Sequence, residues 1–342
     1  MPRWLFQLMC FLLPVAMAAL PACRVTDLRL WKPGETLPGD GWEVEHVRGV
    51  RYRDDPGAVD LRHRLDLFLP KDCCNFPVVV LVHGGAWVVG DNRCCGLYSS
   101  VGEFLASRGI GAVLPNYRLS PGVKHPEHVK DVARAFAWTR AHIAEYGGRP
   151  DELFLVGHSA GGHLAALLAS DERYLKAEGL STTDIRGVVA ISGVYRIPPG
   201  KFDVSLGGST AESFGLDEVL PLRGDGLARS ATGLPGLPLS LNIFGVAFGD
   251  DPIARADASP LNHVRPGLPP FLLVSADHDL PTLPAMARDF HRLLLEQGCE
   301  SQLLWVEGRN HNSIMFTAVD ARDPVARAVV DFVCRHGDEA RQ

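Results

Sequence analysis

Hydrophobic residues follow two different patterns along this chain. Residues 44–50 and 64–69 alternate apolar and polar positions, which predicts half-buried antiparallel strands at the edge of a sheet. Later runs are continuously apolar, too short for helices and rich in branched residues, and such runs predict strands buried on both faces. These runs cover residues 78–82, 111–114, 153–156, 188–191 and 271–274.

Segments with apolar residues at helical spacing separate these runs and predict helices at residues 101–107, 129–146, 163–170 and 284–297. Because strands and helices alternate, we expect an α/β fold built on a mostly parallel, doubly wound sheet. Residues 196–250 break the alternation with many glycines and prolines and no clear periodicity. We interpret that segment as an inserted cap within a single domain at residues 42–336.

The composition indicates one large domain with no nucleic-acid partner. Of 342 residues, 46% are hydrophobic and 22% are charged, which supplies apolar material for one large core. The formal net charge is -6, from 34 basic and 40 acidic residues, and no basic cluster is present to attract a phosphate backbone. No feature of the sequence specifies an oligomeric state.

The amino-terminal stretch has the form of a secretory signal. It carries one cation at Arg3, an apolar region at residues 8–20, and small residues at its end. The apolar region is shorter than the roughly 20 residues that a membrane span requires. We therefore predict that residues 1–23 are a signal segment and that the protein is secreted or held in the cell envelope. Cleavage after Ala18 competes with a lipoprotein-like box that ends at Cys23, whose acylation would attach the protein to a membrane.

The chain has eight cysteines, four of them in two adjacent pairs. The pairs, at residues 73–74 and 94–95, flank the predicted strand at residues 78–82. They allow a disulfide between the two loops, and the alternative is four free thiols. A zinc site is less favoured than either, because the pairs lack the two-residue gap of a zinc knuckle.

One motif predicts a nucleophile. The strand at residues 153–156 runs into Gly-His-Ser-Ala-Gly-Gly at residues 157–162 and then directly into a helix. A serine in such a sharp, glycine-flanked turn has its hydroxyl exposed above the sheet, so we predict Ser159 as the nucleophile. We expect structural roles for His158 and His163, which lie beside it in the sequence.

A second motif predicts the groups that stabilise an oxyanion. The strand at residues 78–82 ends in His-Gly-Gly-Ala-Trp at residues 83–87, and glycine lets a backbone amide face a ligand. Acyl transfer passes through a tetrahedral oxyanion that backbone N–H groups stabilise. We predict Gly84, Gly85 and Ala160 as these donors.

A serine nucleophile needs a histidine to accept its proton and a carboxylate to orient that histidine. Asp277 and Asp279 both follow the strand at residues 271–274, at the end where sites form in open α/β sheets. We prefer Asp279, which precedes a predicted helix, and Asp277 stays the alternative. His311 is the predicted base, because it lies on a polar loop after the next predicted strand, at residues 302–306.

With these motifs the sequence resembles the esterase branch of the α/β-hydrolases, which includes hormone-sensitive-lipase-like carboxylesterases and the kynurenine-formamidase and isoprenylcysteine-methylesterase-like group. Asn-Tyr-Arg-Leu at residues 116–119 and Gly-Arg-Asn-His at residues 308–311 also resemble its signatures. The resemblance implies the α/β-hydrolase fold and hydrolysis of carboxylic esters without a cofactor or metal. It also favours Asp279 over Asp277, and we expect structural roles for Tyr117 and Arg118.

The expected partner is therefore a small-molecule ester. An amidase, formamidase or peptidase would use the same triad. A hydrolase-like binding protein without catalysis is a further alternative of another class.

Overall fold

The computed structural model describes residues 41–55, 57–59, 61–199, 204–206 and 239–338. Its strands, in chain order, are β1 (Val44–Arg51), β2 (Arg64–Pro70), β3 (Phe76–Val82), β4 (Gly111–Pro115), β5 (Gly148–His158), β6 (Gly187–Ile191), β7 (Val204–Leu206), β8 (Leu239–Leu241), β9 (Phe271–His278) and β10 (Ser301–Asn310). Its α-helices are α1 (Leu97–Ser107), α2 (Glu127–His142), α3 (Ala160–Ser170), α4 (Glu172–Ala177), α5 (Ile243–Phe248), α6 (Pro252–Asp257), α7 (Leu283–Glu296), α8 (Ser313–Phe316) and α9 (Pro324–Asp338).

Within the described residues, eight of these strands form one sheet in the order β1-β2-β4-β3-β5-β6-β9-β10. The pairs β1–β2 and β2–β4 are antiparallel, and every other neighbouring pair is parallel. The predicted mostly parallel sheet is confirmed, as is the prediction that the two alternating segments form antiparallel strands at its edge. Each parallel connection that runs through a helix returns the chain to the same end of the sheet.

The register of the parallel strands determines which loops are neighbours. Val82 at the end of β3 pairs with Gly157 in β5, and His158 at the end of β5 pairs with Ile191 in β6. At the far side of the sheet, Asn310 of β10 pairs with His278 of β9. The carboxyl ends of β3, β5, β6, β9 and β10 therefore lie along one edge, and the loops that follow them are adjacent.

Helices α1, α8 and α9 cover one face of the sheet. Their apolar residues form one buried cluster with alternate residues of the central strands, for example Leu81, Val156 and Val274. On the neighbouring alternate positions, Leu153 and Leu155 are equally buried, because helices cover the other face too. Burial on both faces explains the continuous apolar runs of these strands.

Strand β2 is more buried than its alternation of apolar and polar residues predicts. Every residue from Leu65 to Pro70 is buried, including Asp66, because α1 packs over the strand and Phe68 lies under Gly102. The polar position in the pattern is a carboxylate that Arg93 binds through two hydrogen bonds of 2.7 Å. A buried carboxylate paired with a half-exposed arginine therefore accounts for the polar position in this buried strand.

The described residues divide into two compact units, one comprising 41–199 and 244–338 and the other 204–206 and 239–243. In the second unit, β7 and β8 form an antiparallel pair. Much of the predicted cap, at 200–203 and 207–238, lies outside the described residues, as do the predicted signal at 1–23 and Cys23. Both stay predictions. None of the helices that the structure describes has the length and apolar character needed to cross a bilayer.

The paired cysteines do not form the disulfide that the sequence allowed between the two loops. Cys73, Cys74 and Cys94 all carry thiols. Cys299, in the turn between α7 and β10, is a buried thiol whose sulfur lies 3.2 Å from the carbonyl oxygen of Arg265. The thiol alternative therefore describes Cys73, Cys74 and Cys94.

Candidate active site

Ser159 lies in a sharp turn between β5 and α3. Its backbone has φ 55° and ψ -119°, a conformation that a residue with a side chain rarely adopts, and its N–H donates to the carbonyl of Ile191 at 2.9 Å. The flanking glycines allow the turn. A Cβ on Gly157 would lie 2.3 Å from the carbonyl oxygen of Gly161, and one on Gly161 would lie 2.1 Å from that of Val82. The motif thus has the strand-turn-helix context that its sequence predicted.

Three predicted site residues meet at this turn. The Ser159 Oγ lies 2.9 Å from the His311 Nε2, and the His311 Nδ1 lies 2.7 Å from the Asp279 Oδ1. Ser159 comes from the end of β5, Asp279 from the loop after β9 and His311 from the residue after β10. The carboxylate is fully buried, and the imidazole is 14% exposed. The arrangement can move a proton from the serine hydroxyl to a histidine that a carboxylate orients.

The strand before His311 is longer than predicted. The sequence predicted a strand at 302–306 and a loop from Glu307, whereas β10 extends to Asn310 through a register irregularity between Val306 and Asn310. The irregularity changes the direction of the end of β10, because extra residues in one strand of a pair bend that strand. His311 therefore follows directly from the sheet.

Asp279 is held by several donors besides His311. The Ser192 Oγ donates to its Oδ2 at 2.5 Å, and the Leu280 N–H donates to its Oδ1 at 2.8 Å. Burial acts to raise the pKa of Asp279, but the hydrogen bonds from His311 and Ser192 outweigh it, so its pKa lies below the ordinary value. The carboxylate is thus ionised and fixed in orientation. Sequence reasoning missed Ser192, since only its distance to Asp279 in the folded chain reveals it.

Asp277, the alternative acid, has a different position. Its carboxylate accepts the backbone N–H groups of Gly308 at 2.9 Å and Arg309 at 3.1 Å. The bond from Gly308 is the largest cause of a pKa below the ordinary value. Asp277 therefore binds the end of β10, just before His311, and the residue that contacts the His311 imidazole is Asp279.

One of the three predicted oxyanion donors already has an acceptor. The Gly84 N–H donates to the hydroxyl of Tyr98 on α1 at 2.7 Å. Within the described residues, the N–H groups of Gly85, Ala86 and Ala160 have no hydrogen-bond acceptor. Tyr98 gave no signal in the sequence, where it occupies an ordinary position at the start of a helix.

The loop that follows β3 is anchored to the helix that follows β5. Ala86 and Trp87 are both left-handed, with φ values of 51° and 61°. The indole N–H of Trp87 donates to the His163 Nδ1 at 3.2 Å, and the His163 Nε2 faces the carbonyl of Ala258 at 2.7 Å. Because the Nε2 faces a carbonyl, it carries the proton, and burial keeps the ring neutral by lowering the pKa of His163 to about 3. His163 thus has the structural role predicted for it.

Three other histidines downstream of Ser159 lie away from its hydroxyl. The His278 side chain is 76% exposed and pairs with Asp277, His291 contacts Ser301, and the His263 Nε2 faces the carbonyl of Asp257. The residues at 116–119 are structural as well. The Tyr117 hydroxyl donates to the carbonyl of His83 at 3.1 Å, and Arg118 forms a bidentate ion pair with Asp131.

One group of acidic and histidine side chains has the spacing of a metal site. The side chains of Asp171, Asp257 and His263 each offer a ligand atom within 4.8 Å of the others. The guanidinium of Arg173 bridges the two carboxylates, at 2.6 Å from Asp171 and 2.5 Å from Asp257. Since this cation already neutralises them, the residues fit an ion-pair network rather than a metal site.

The known proteins to which this chain is similar include esterases. The BD-FAE family model matches residues 65–197. The chain is 31% identical over 298 residues to Esterase LipC of Mycobacterium tuberculosis, covering 84% of this chain and 64% of that protein. It is 28% identical over 280 residues to the probable isoprenylcysteine alpha-carbonyl methylesterase ICMEL1 of Arabidopsis thaliana, covering 78% of this chain and 51% of that protein. The chain thus spans about half to two thirds of the length of these curated relatives.

Solved structures agree with the fold described above. The crystal structure of esterase B from Lactobacillus rhamnosis matches with a TM-score of 0.67 at 18% identity, covering 99% of this chain and 96% of that chain. At this level of identity the likeness concerns the fold alone.

Proposed function

We infer that this chain, an α/β-hydrolase related in sequence to esterases, is a serine hydrolase that cleaves carboxylic esters through an acyl-enzyme on Ser159. The observation that carries the proposal is the line of hydrogen bonds from Ser159 through His311 to the buried Asp279. The names of the relatives support an ester as the substrate class.

In the proposed reaction, the Ser159 Oγ attacks the ester carbonyl while its proton passes to the His311 Nε2. The imidazole must carry its other proton on Nδ1, and the ionised Asp279 favours that tautomer by accepting it at 2.7 Å. The imidazolium then protonates the departing alcohol. Water activated by the same histidine releases the acid and restores the serine.

The tetrahedral intermediate needs donors for its oxyanion. We propose the N–H groups of Gly85 and Ala160 for this role, with Ala86 as the neighbouring third donor. Ala160 is the first residue of α3, where the positive end of the helix dipole also favours negative charge. Gly84 does not take part, because Tyr98 accepts its N–H.

The test is hydrolysis of p-nitrophenyl acetate, butyrate and octanoate by the wild type, with matched anilides and an N-formyl arylamine as amide substrates. Labelling by a fluorophosphonate probe measures nucleophile reactivity independently of substrate choice. We expect turnover of at least one ester and a covalent adduct on Ser159. Turnover of the amides alone would identify an amidase or formamidase, and the absence of both turnover and labelling would favour a binding role.

We also propose that residues 1–23 direct export to the cell envelope, with acylation at Cys23 as the form that attaches the protein to a membrane. The charge and apolar pattern of that segment support this proposal. Intact-mass measurement of the mature protein tests it. An unmodified amino terminus after Ala18 would leave export but exclude the lipid, and an uncleaved chain would contradict both.

A further inference from the structure

His158, the residue before Ser159, lies in a hydrogen-bonded line that connects the two halves of the site. Its Nε2 lies 2.9 Å from the backbone carbonyl oxygen of His311. Its Nδ1 lies 3.3 Å from the Tyr98 hydroxyl, which in turn accepts the Gly84 N–H at 2.7 Å. The line therefore runs from the loop after β3, through α1 and the turn after β5, to the residue that carries the proposed base.

The hydrogen bonds of this line have one consistent assignment of donors and acceptors. Because the His158 Nε2 faces a carbonyl oxygen, it must carry the proton, which leaves the Nδ1 to accept from the Tyr98 hydroxyl. The tyrosine oxygen then accepts from Gly84. Burial, with a further contribution from His311, lowers the pKa of His158 to about 3, so the ring holds the single proton that this arrangement requires.

Packing alone does not account for these contacts. His158 is 5% exposed and Tyr98 6%, so an apolar side chain of similar size at residue 158 would fill the space. It would, however, remove the partner of the His311 carbonyl and of the Tyr98 hydroxyl, and buried polar groups without partners destabilise the arrangement that holds them. The loops are also close together. A Cβ on Gly84 would lie 2.9 Å from the Tyr98 hydroxyl and 3.0 Å from the His158 carbonyl oxygen.

We propose that His158, acting with Tyr98, is a positioning residue that holds the backbone of His311 and the loop of Gly84 in one fixed relation. The inference rests on the proposed function, because the base and the oxyanion donors are the groups whose relation is held. His158 does not touch the reacting atoms. It acts by fixing the main chain from which the His311 imidazole extends, while Asp279 fixes the ring itself.

The experiment compares four variants with the wild type on p-nitrophenyl butyrate. His158→Leu removes both hydrogen bonds, whereas His158→Gln keeps a side-chain N–H for the His311 carbonyl. Tyr98→Phe removes the hydrogen bonds of the hydroxyl to Gly84 and to the His158 Nδ1, and it keeps the bond from His158 to the His311 carbonyl. His128→Leu is the matched control, because His128 is also buried and bonded through a side-chain hydroxyl, that of Ser120.

We expect His158→Leu to lower kcat roughly 10- to 100-fold with little change in KM, as expected when a reacting group is misplaced. His158→Gln should recover most of that loss, and Tyr98→Phe should show a smaller drop in the same direction. The low-field NMR resonance of the His311 Nδ1 proton should shift in His158→Leu and stay in place in His128→Leu. The resonance reports the bond to Asp279 whether or not the substrate is turned over.

The proposal is overturned if His158→Leu keeps kcat and the His311 resonance and loses only melting temperature, as expected of His128→Leu. It is also overturned if His158→Gln is no better than His158→Leu. Where His158→Leu does not fold, Tyr98→Phe decides, since unchanged kcat and resonance there would contradict the proposal. A wild type without turnover whose resonance still moves in His158→Leu would refute the proposed function and support the positioning role.

Discussion

Two adjacent loops of this protein show how differently a functional motif can depend on the rest of the chain. The turn after β5 and the loop after β3 both follow buried parallel strands, which pair through Gly157 and Val82. Both contain residues in the left-handed region, Ser159 at φ 55° in one and Ala86 at φ 51° in the other. In the first loop the important group is a side chain, and in the second the important groups are backbone amides.

The first loop is determined almost entirely by its own residues. Two glycines, a strand and a helix are contiguous in the sequence, and together they expose the Ser159 hydroxyl. The second loop depends on residues far along the chain. Which of its amides stays available is decided by Tyr98, which accepts the Gly84 N–H, and its strained Trp87 is held by His163. A motif identifies a reactive side chain better than it identifies an unpaired amide.

The strongest test of the turn after β5, where the important group is a side chain, is the variant Ser159→Ala. We expect a loss of turnover of roughly a millionfold, since the nucleophile and its base act as one unit. Hydrolysis of p-nitrophenyl esters and fluorophosphonate labelling measure it. Ser170→Ala is the control, because Ser170 is buried at the end of α3 and donates to carbonyls of that helix, at Ala166 and Leu167. Turnover and labelling that survive in Ser159→Ala would contradict the assignment.

The second test extends this side-chain test to the acid. Asp279→Asn should lower kcat by roughly 10⁴, because the amide favours the wrong tautomer of His311. Asp277→Asn is the matched variant two residues away. It should keep most of kcat and lower the melting temperature, since Asp277 accepts the N–H groups of Gly308 and Arg309 in β10. The reverse ranking of the two variants in kcat would identify Asp277 as the acid.

The third test concerns the loop after β3, where the important groups are backbone amides. Gly85→Ala places a Cβ 2.1 Å from the carbonyl oxygen of Val89 at φ 115°, so the loop must shift. We expect kcat to fall roughly 10²- to 10³-fold, as when one oxyanion donor is lost. Gly96→Ala controls for the strain of a left-handed residue, because Gly96 has φ 74° and nothing within 4 Å of an added Cβ. Thermal melting shows that both variants fold, and equal losses of kcat would refute the role of the Gly85 amide.

The same difference, between features set by neighbouring residues and features set by distant ones, explains which parts of the structure the sequence predicts. The alternation of apolar runs and helical segments predicted the mostly parallel sheet, and this prediction is confirmed. It was possible because a strand that is buried on both faces has a continuously apolar sequence. The α/β-hydrolase fold is confirmed as well. The predicted triad residues are brought within hydrogen-bonding distance of one another, since each is placed by the end of a strand.

The burial or role of a residue is not predictable from sequence where it depends on a distant partner. Asp66 gave β2 the pattern of a half-exposed strand, although Arg93 allows it to be buried. Tyr98 and Ser192 sit in unremarkable sequence and matter only through the atoms beside them. Helix α9 is different, because its buried residues Val325, Val329 and Phe332 have the helical spacing that predicts such a helix.

The smallest expected effect concerns stability, and it applies to both loops because each contains buried histidine. Burial lowers the pKa of His83, before Gly84, to about 4, and the pKa values of His158 and His163 to about 3. In the unfolded chain these groups titrate near 6.5. Below that pH the unfolded chain binds protons that the folded chain does not, so the stability that their neutral forms allow declines as the pH falls from about 6.5 toward 4.

We therefore expect the melting temperature to be level between pH 8 and 7 and to fall steadily between about pH 6.5 and 5, before the carboxylates contribute. Each such histidine adds at most about 1.4 kcal/mol per pH unit to the slope of the unfolding free energy. His128→Leu should reduce the slope, because burial also lowers the pKa of His128 to about 4. A melting temperature that stays level down to pH 5 would mean that the two loops accommodate charged histidine, and the fixed tautomers of His158 and His163 would then lose their physical basis.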